Sequence, residues 1–312
     1  MSSELEPQAP RGIMVLASYV TELIFHVPRM MQLGESLEGR FETGYGGKGF
    51  NIAIAAHLAG AQVNVMMKVG GDQYGEEAIR ILHSLGMDTE LVQRETSVSS
   101  GTGVVILLPS GDNAIALDPG ANRRLTPRDV VAAQPTIARS RLLVAPLELP
   151  IDTVRYAFAL ARTSGTMTVL NPAPAQPLDS ELLRTVDVIV PNETEAAAMT
   201  GLRLDRDQGI QTAADTMLSM GVGGVVITLG GRGAYFATKE DHGFIVAPTV
   251  SVVDTTGAGD AFIGCLVMSL AQGLDLRSSV RFATRAAALK VTRQGSSRAM
   301  PSRKEIDEFR EE

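Results

Sequence analysis

Apolar residues along this chain follow two patterns. Continuously apolar runs rich in β-branched residues predict buried strands, and apolar residues three and four positions apart predict helices. Helical stretches such as "EEAIRILHSLG" (76–86) and "DTVRYAFALARTSG" (152–165) alternate with the apolar runs. The predicted strands are "GIMVLA" (12–17), "QVNVMMKVG" (62–70), "RLLVAP" (141–146), "TMTVLN" (166–171), "VDVIVP" (186–191) and "GVVITLG" (224–230). This alternation predicts an α/β fold with a mostly parallel central sheet and helices on both faces.

Two segments depart from this alternation. Residues 18–44 and 100–118 contain alternating or hairpin-like stretches without a helical pattern, and a "PSGDN" turn interrupts the second. We interpret them together as a small β-sheet lid. The polar, acidic residues 1–11 predict a mobile tail without a secretion signal. The α/β domain is then expected over residues 12–17, 45–99 and 119–312.

The composition of the chain argues against several classes of function. Of the 312 residues, 20% are charged and the net charge is −7, without a basic stretch, so we expect no nucleic-acid partner. Because no apolar run reaches the roughly 18 residues of a membrane span, we expect no membrane partner. The single Cys265 excludes an internal disulfide and a multi-cysteine metal site, which favours a cytoplasmic protein.

The most informative stretch is "VVDTTGAGDAFIGCLVMSLAQG" (252–273). A glycine-rich turn leads into a helix there, and the amides of Gly257, Ala258 and Gly259 are suited to bind an anion. Asp260 follows directly. It either caps the helix or acts as a base on a hydroxyl that attacks a phosphoryl group, and the helix terminus is expected to lower its pKa. The Walker and dinucleotide-binding patterns both fail in this stretch.

A second glycine-rich turn, "GYGGKGFN" (44–51), matches G-x-G-x-x-G. A nicotinamide dehydrogenase is therefore an alternative, although the preceding "EGRFET" alternates and makes a poor first strand for a dinucleotide-binding unit. Lys48 and Asn51 are suited to bind a polar ligand. The other interpretation is a solvated lysine and a helix N-cap.

Two further turns have two interpretations each. "TLGGRGAYF" (228–236) brings backbone against a nucleotide or is a tight strand connection. In "VPNETEA" (190–196), Asn192 and Glu195 form a helix capping box, and the carboxylate is also suited to hold a hydrated Mg²⁺.

Taken in order, these motifs resemble those of the ribokinase-like (PfkB) carbohydrate kinases, and of the ribokinase/deoxyribokinase branch in particular. The resemblance covers roughly residues 12–310. It rests on "GGKGFN", "NPAPA" (171–175), "PNETEA" (191–196), "TLGGRGA" (228–234), "DTTGAGDAF" (254–262) and "VTRQGSSRAMP" (291–301). It implies ATP-dependent transfer of the γ-phosphoryl group to the primary hydroxyl of a small sugar, a pentose such as ribose or 2-deoxyribose. The alternatives are fructose, 2-keto-3-deoxygluconate or a nucleoside as substrate, or a non-catalytic sensor.

The resemblance also implies roles for individual residues. Asp260 is the implied catalytic base, and the amides of 257–259 form the anion hole. The implied sugar contacts are Glu22, Gly47, Lys48, Asn51, Glu148 and Asp260. The implied nucleotide and Mg²⁺ residues are Asn192, Glu195 (Mg²⁺ through water), Thr228, Gly230 and Gly233. The implied K⁺ site, built largely from backbone carbonyls, comprises Asp254, Thr256, Val291, Gln294 and Ser296.

One strand departs from the family pattern. In "LASYVTEL" (16–23), Val20 and Glu22 occupy the positions where ribokinases supply an asparagine and an aspartate to the sugar. The resemblance therefore predicts poorer use of ribose and better use of a deoxy sugar. It also implies a homodimer that assembles through the lids.

Overall fold

The computed structural model describes residues 12–110 and 112–310, so the predicted mobile tail at 1–11 lies outside the described residues. The strands in this part of the chain are β1 (Ile13–Leu16), β2 (Val20–His26), β3 (Arg40–Gly46), β4 (Val63–Gly70), β5 (Val92–Glu95), β6 (Gly101–Leu107), β7 (Asn113–Asp118), β8 (Leu142–Pro146), β9 (Met167–Asn171), β10 (Val188–Ile189), β11 (Gly224–Thr228), β12 (Ala234–Ala237) and β13 (His242–Ile245). The helices are α1 (Lys48–Leu58), α2 (Gln73–Ser84), α3 (Pro127–Arg139), α4 (Ile151–Thr163), α5 (Ser180–Leu183), α6 (Glu193–Thr200), α7 (Asp207–Ser219), α8 (Ala258–Ala271), α9 (Leu276–Lys290) and α10 (Arg303–Glu308).

The described residues form a nine-stranded central sheet in the order β13-β12-β11-β10-β9-β8-β1-β4-β5. The neighbouring strands β11-β10-β9-β8-β1-β4-β5 of this sheet pair in parallel. All six predicted strands are among them. The pattern missed β5, β12 and β13, which are four residues each. The antiparallel hairpin of β12 and β13 ends one edge of the sheet. The predicted α/β fold is confirmed.

Strand β1 shows why both faces of the sheet are covered. Ile13 and Val15 pack in one apolar cluster with residues of α1, α8 and α9, and Met14 and Leu16 pack in a second cluster with residues of α3, α4 and α7. All four side chains are fully buried. Since alternate residues of a strand point to opposite faces, a continuously apolar run requires helices on both sides.

Within the described residues, a separate four-stranded sheet has the order β3-β2-β6-β7. Strand β2 pairs antiparallel with β3 and parallel with β6, so the two segments without helical pattern combine into one sheet. Strands β6 and β7 form the hairpin that "PSGDN" predicts. Strand β3 continues to Gly46, two residues beyond the expected end of the lid segment at 44. The domain boundaries stay predictions.

Candidate active site

Most predicted site residues lie at one edge of the central sheet. Glu148 follows the carboxyl end of β8, Asn192 follows β10, and Thr228 is the last residue of β11. In parallel sheets, ligands bind in the crevice beyond the carboxyl ends of the strands. The helices α1 and α8 begin at the same edge and cross closely. A Cβ on Gly264 of α8 would lie only 2.5 Å from the Cβ of Ala55 in α1, so glycine allows this close approach.

This close packing brings Asn51 of α1 against Asp260 of α8. The Asn51 Nδ2 group donates a hydrogen bond of 2.7 Å to Asp260 Oδ2, across 209 residues of sequence. Asn51 lies inside α1, so the N-cap interpretation for it is wrong. Its Oδ1 atom is buried and has no hydrogen-bond partner among the described residues. A buried acceptor in this state is suited to bind a ligand hydroxyl.

Asp260 lies in the first turn of α8 and is 7% exposed. Gly257, with φ 76°, is the N-cap residue, and the Asp260 side chain bonds to Asn51 instead of capping the helix. Burial raises the pKa of Asp260 to about 6, against the attraction of Lys48 and with additional repulsion from Glu148 and Glu195. The expected lowered pKa is therefore wrong, because loss of water around the carboxylate outweighs the effects of Lys48 and Asn51, which favour the charged form.

The anion hole stays a prediction, and the hydrogen bonds of the turn show which of its amides are used. The Ala258 amide donates to the carbonyl of Thr255 at 3.1 Å and is used within the turn. The Gly259 amide lies in the first turn of α8, where an N–H group has no acceptor within the helix. Gly259 also lines a cavity, described below, so its amide is suited to bind an anion.

The "GYGGKGFN" turn connects the lid to α1. Gly47 has φ 94°, and a Cβ there would lie 2.5 Å from the carbonyl oxygen of Ser18, so the backbone requires glycine. The preceding strand β3 belongs to the lid sheet and not to the parallel sheet. The turn is therefore not the strand–turn–helix unit of a dinucleotide-binding domain.

Glu148 fixes the start of α1. Its Oε2 atom accepts a hydrogen bond of 2.8 Å from the backbone amide of Lys48 and a second one from the hydroxyl of Ser18. A carboxylate at a helix N-terminus is favoured by the helix dipole. Sequence analysis missed Ser18, since a serine 130 residues away from its partner gives no local signal.

On the lid, the Glu22 side chain lies over two glycines of β3. A Cβ on Gly44 or Gly46 would come within 2.7 Å or 2.6 Å of its carboxylate oxygens. Burial raises the pKa of Glu22, and the charges of Asp254 and Asp260 raise it further, so this carboxylate faces the same site. Val20 is two residues away on β2 and therefore lies on the same face of the lid.

A cavity of about 380 Å³ lies beside the N-terminus of α8. Thr228, Gly230 and Gly233 of the third glycine-rich turn line it together with Ala258 and Gly259 of α8. The rest of the wall is formed mainly by apolar or small residues, namely Gly231, Ala247, Pro248, Thr249, Val250, Val252, Thr255, Phe262, Thr284, Ala287, Ala288 and Val291. A concave apolar site with a few polar groups at one end suits a base and its phosphate chain.

Asn192 and Glu195 form the capping box of α6. Asn192 Oδ1 accepts from the Glu195 amide at 2.8 Å, and Glu195 Oε2 accepts from the Asn192 amide at 2.9 Å. Glu195 is buried and raises the pKa of Asp260, so its charge acts on the same site. Among residues 12–110 and 112–310, no group of three or more metal-binding side chains occurs. One fixed carboxylate suits Mg²⁺, which keeps several waters and binds substrate phosphates.

The residues of the predicted K⁺ site lie together around Asp254. The Asp254 carboxylate accepts from the amides of Thr256 at 2.9 Å and Gly295 at 2.8 Å, and from the Gln294 side chain at 3.4 Å. Ser296 donates its hydroxyl to the carbonyl of Tyr45, near the end of β3. These contacts connect the 291–296 loop to the segment that precedes the N-terminus of α8.

Three carbonyls of this set already accept hydrogen bonds, and one of them is Ser296 O, which accepts from the Ala299 amide at 3.1 Å. Val291 O accepts from the amides of Val253 at 2.7 Å and Asp254 at 3.1 Å. Asp254 O accepts from the ammonium of Lys290 at 2.9 Å. A carbonyl has two lone pairs, and an ammonium beside a carbonyl repels a second cation. These residues therefore do not fit a K⁺ ion that is bound largely through backbone carbonyls. Sequence analysis did not consider Lys290.

The comparisons with known proteins agree with this geometry. The family described as "pfkB family carbohydrate kinase" matches residues 11–303. The chain belongs to the PfkB family of carbohydrate kinases. This kinase is 35% identical over 299 residues to a deoxyribokinase of Salmonella typhi, which covers 95% of the chain and 98% of the relative. It is 36% identical over 299 residues to a ribokinase of Staphylococcus aureus, with the same coverage.

Its fold matches that of a ribokinase from Arabidopsis thaliana solved in complex with ribose and ATP. The TM-score is 0.90 and the identity is 25%, over 97% of this chain and all of the other. The prediction of a carbohydrate kinase is confirmed, and the dehydrogenase alternative is wrong. In the described ranges, the helices of this kinase are too short or too polar to cross a membrane.

Proposed function

We propose that this kinase transfers the γ-phosphoryl group of ATP to the primary hydroxyl of a pentose and that 2-deoxyribose competes well with ribose. The observation that carries the proposal is the pair of Asp260 and Asn51, buried between the starts of α1 and α8. A cavity suited to a nucleotide lies beside the N-terminus of α8. The half-buried carboxylate of Glu22 on the lid faces the same site.

Asp260 is the proposed base. With a pKa of about 6, it is mostly ionised at neutral pH and still basic enough to accept a proton from a hydroxyl as that hydroxyl attacks the phosphorus. Asn51 donates to one carboxylate oxygen, so the other oxygen is free to accept from the sugar. Phosphoryl transfer proceeds through a loose transition state, so a modest base suffices when the reactants are held in line.

ATP is proposed to lie in the cavity between the 228–233 turn and α8. Its base would contact the apolar wall, and its γ-phosphoryl group would approach Gly259 and Asp260. A positive helix end and close backbone approach stabilise the charge on the transferred group. Glu195 would hold Mg²⁺ through water, and the ion would neutralise charge on the phosphates.

The sugar is proposed to lie between Asp260 and the lid. Asn51 offers an unused acceptor, and Glu22 offers a carboxylate on the opposite side. Val20 shares the face of Glu22 but offers only methyl groups. A hydroxyl held against them would lose a hydrogen bond, at a cost of about 1–3 kcal/mol. A sugar carbon that carries hydrogen in place of the hydroxyl loses no hydrogen bond at Val20, and this favours 2-deoxyribose.

The specificity test compares wild-type enzyme with Val20→Asn. We expect the ratio of kcat/KM for ribose to that for 2-deoxyribose to rise by about tenfold or more in the variant, the lower part of that energy range. Val104→Asn is the matched control, because Val104 lies on the other face of the lid sheet, beside Leu23. Strong preference of the wild type for ribose, with a ratio unchanged by Val20→Asn, would mean that Val20 does not contact the sugar.

The panel should also include fructose, 2-keto-3-deoxygluconate and nucleosides, the alternative substrates. A non-catalytic sensor would bind ATP or a sugar without releasing ADP. Two further predictions accompany the proposal: a cytoplasmic location and a homodimer through the lids. The exposed Ile115 and Leu117 lie on the same face of the lid as Glu22 and support the dimer. The implied binding of K⁺ is replaced by the following proposal.

A further inference from the structure

Lys290 is a buried cation for which the reaction described so far has no use. It is the last residue of α9, and its side chain is fully buried. Its ammonium group donates a hydrogen bond of 2.9 Å to the backbone carbonyl of Asp254. A buried ammonium is costly unless it is paired, so a lysine kept in this position needs compensating negative charge.

The carboxylates of Asp254 and Asp260 supply negative charge that acts on the Lys290 ammonium. Asp254 lies three residues before Gly257, the N-cap of α8, and its carboxylate is bonded to the amides of Thr256 and Gly295. Lys290 therefore holds the backbone of the segment that leads into the anion-binding turn.

This ammonium contacts the cation site implied by the family resemblance at one of its residues. Asp254 is one of the residues that would bind K⁺ there, and its carbonyl accepts from Lys290 instead. The carbonyl of Val291 accepts from two amides. A monovalent ion and an ammonium group carry the same charge and both bind carbonyl oxygens, so one substitutes for the other chemically.

We propose that Lys290 is a positioning residue that takes the place of a monovalent metal ion, so that this kinase works without K⁺. Its ammonium fixes the Asp254 segment and places a positive charge beside the residues that lead into the turn proposed to bind the transferred phosphoryl group. The proposal rests on the proposed phosphoryl transfer. It concerns the residues around that site and not the identity of the sugar.

The first test uses the wild-type enzyme in K⁺, Na⁺ and tetramethylammonium chloride at equal ionic strength. We expect kcat to differ by less than about twofold among the three salts, since screening of exposed charges is then the same. We also expect the same melting temperature in all three, because an ion that binds the native state would raise it. A several-fold stimulation by K⁺ or a K⁺-specific rise in melting temperature would overturn the proposal.

The second test removes the ammonium. Lys290→Ala leaves space for an ion, and we expect kcat to fall by about tenfold or more, on the order of the loss of one preorganised charge contact, with a small change in KM for the sugar. K⁺ or NH₄⁺ should restore part of kcat and raise the melting temperature of this variant. Lys290→Met, which fills the space with an uncharged chain, should lose kcat without restoration.

Lys68→Met is the matched control, since Lys68 is a partly buried lysine paired with Asp129. We expect it to acquire no cation dependence. Loss of kcat in Lys290→Ala that no cation restores would indicate a merely structural lysine and overturn the proposal, as would unchanged kcat. If Lys290→Ala does not fold, the wild-type salt series decides. Absence of ADP release with every sugar in every salt would instead refute the proposed function, and the melting temperatures would still test the cation site.

Discussion

Replacing Asp260 with Asn should make the kinase more stable and nearly inactive. The carboxyl group has an ordinary pKa of 3.8, which burial raises to about 6 in the folded protein. The protonated form is therefore favoured in the native state. Its stabilising contribution is complete below pH 3.8 and is lost as the pH rises through about 6. At pH 8 the folded protein holds a buried carboxylate, and the Asp260→Asn substitution would remove that penalty.

The magnitude follows from the pKa difference. From 3.8 to about 6 is a difference of roughly 2, and at about 1.4 kcal/mol for each pKa unit the penalty at pH 8 is about 3 kcal/mol. Unfolding entropy of about 2 cal/mol/K for each residue converts this energy into about 5 °C of melting temperature for a chain of this size. At pH 4, where Asp260 is protonated in the folded state, the gain should be small.

The assay measures melting temperature from pH 4 to pH 8 together with turnover. We expect kcat to fall by roughly 10² to 10⁴-fold in Asp260→Asn. In wild type, kcat/KM should rise with pH through about 6, the pKa of Asp260. Asp215→Asn, which changes an exposed aspartate of α7, is the control and should alter neither quantity. Lower stability of Asp260→Asn at pH 8, or turnover above about a tenth of wild type, would refute the reasoning.

Two further predictions concern Mg²⁺ and assembly. Glu195→Gln should raise the Mg²⁺ concentration for half-maximal activity by about tenfold or more, as loss of a supporting ligand does, whereas Glu193→Gln in the same helical turn should not. An unchanged requirement in Glu195→Gln would remove Glu195 from the metal network. Leu117→Glu on the lid should convert a dimer into a monomer in sedimentation velocity, and Val131→Glu, an exposed apolar position on α3, should not. A monomeric wild type at micromolar concentration would contradict the lid dimer.

Elements of the fold were predictable where a short stretch of sequence carries its own pattern of apolar residues. The six predicted strands carry continuous apolar runs, and these runs require burial on two faces, so they were predictable. Strand β5, with the sequence "VQRE", has two charged residues among four and gives no apolar signal. Strands β12 and β13 are too short for a periodicity. The lid was predictable as a helix-free region, because its alternation has a period of two.

The residues of the candidate site also divide into those with a local sequence signal and those without one. Glycine-rich turns and the capping box are local patterns, and the structure brings the predicted residues to one edge of the sheet. The contacts of Asn51 with Asp260 and of Ser18 with Glu148 join residues more than one hundred positions apart, so spacing along the chain did not reveal them. Lys290 was visible as a lysine among alanines in α9, but a helix pattern alone assigns a lysine to solvent.

The central claim is tested most directly by ADP release with sugars that differ at the primary hydroxyl. Purified enzyme with ATP and Mg²⁺ is given 2-deoxyribose, ribose or 5-deoxyribose, which lacks the primary hydroxyl. We expect one ADP for each sugar phosphate formed with the first two sugars, faster with 2-deoxyribose at limiting concentration, and background release with 5-deoxyribose. Equal ADP release with all three sugars, or none with any pentose, would contradict the proposal.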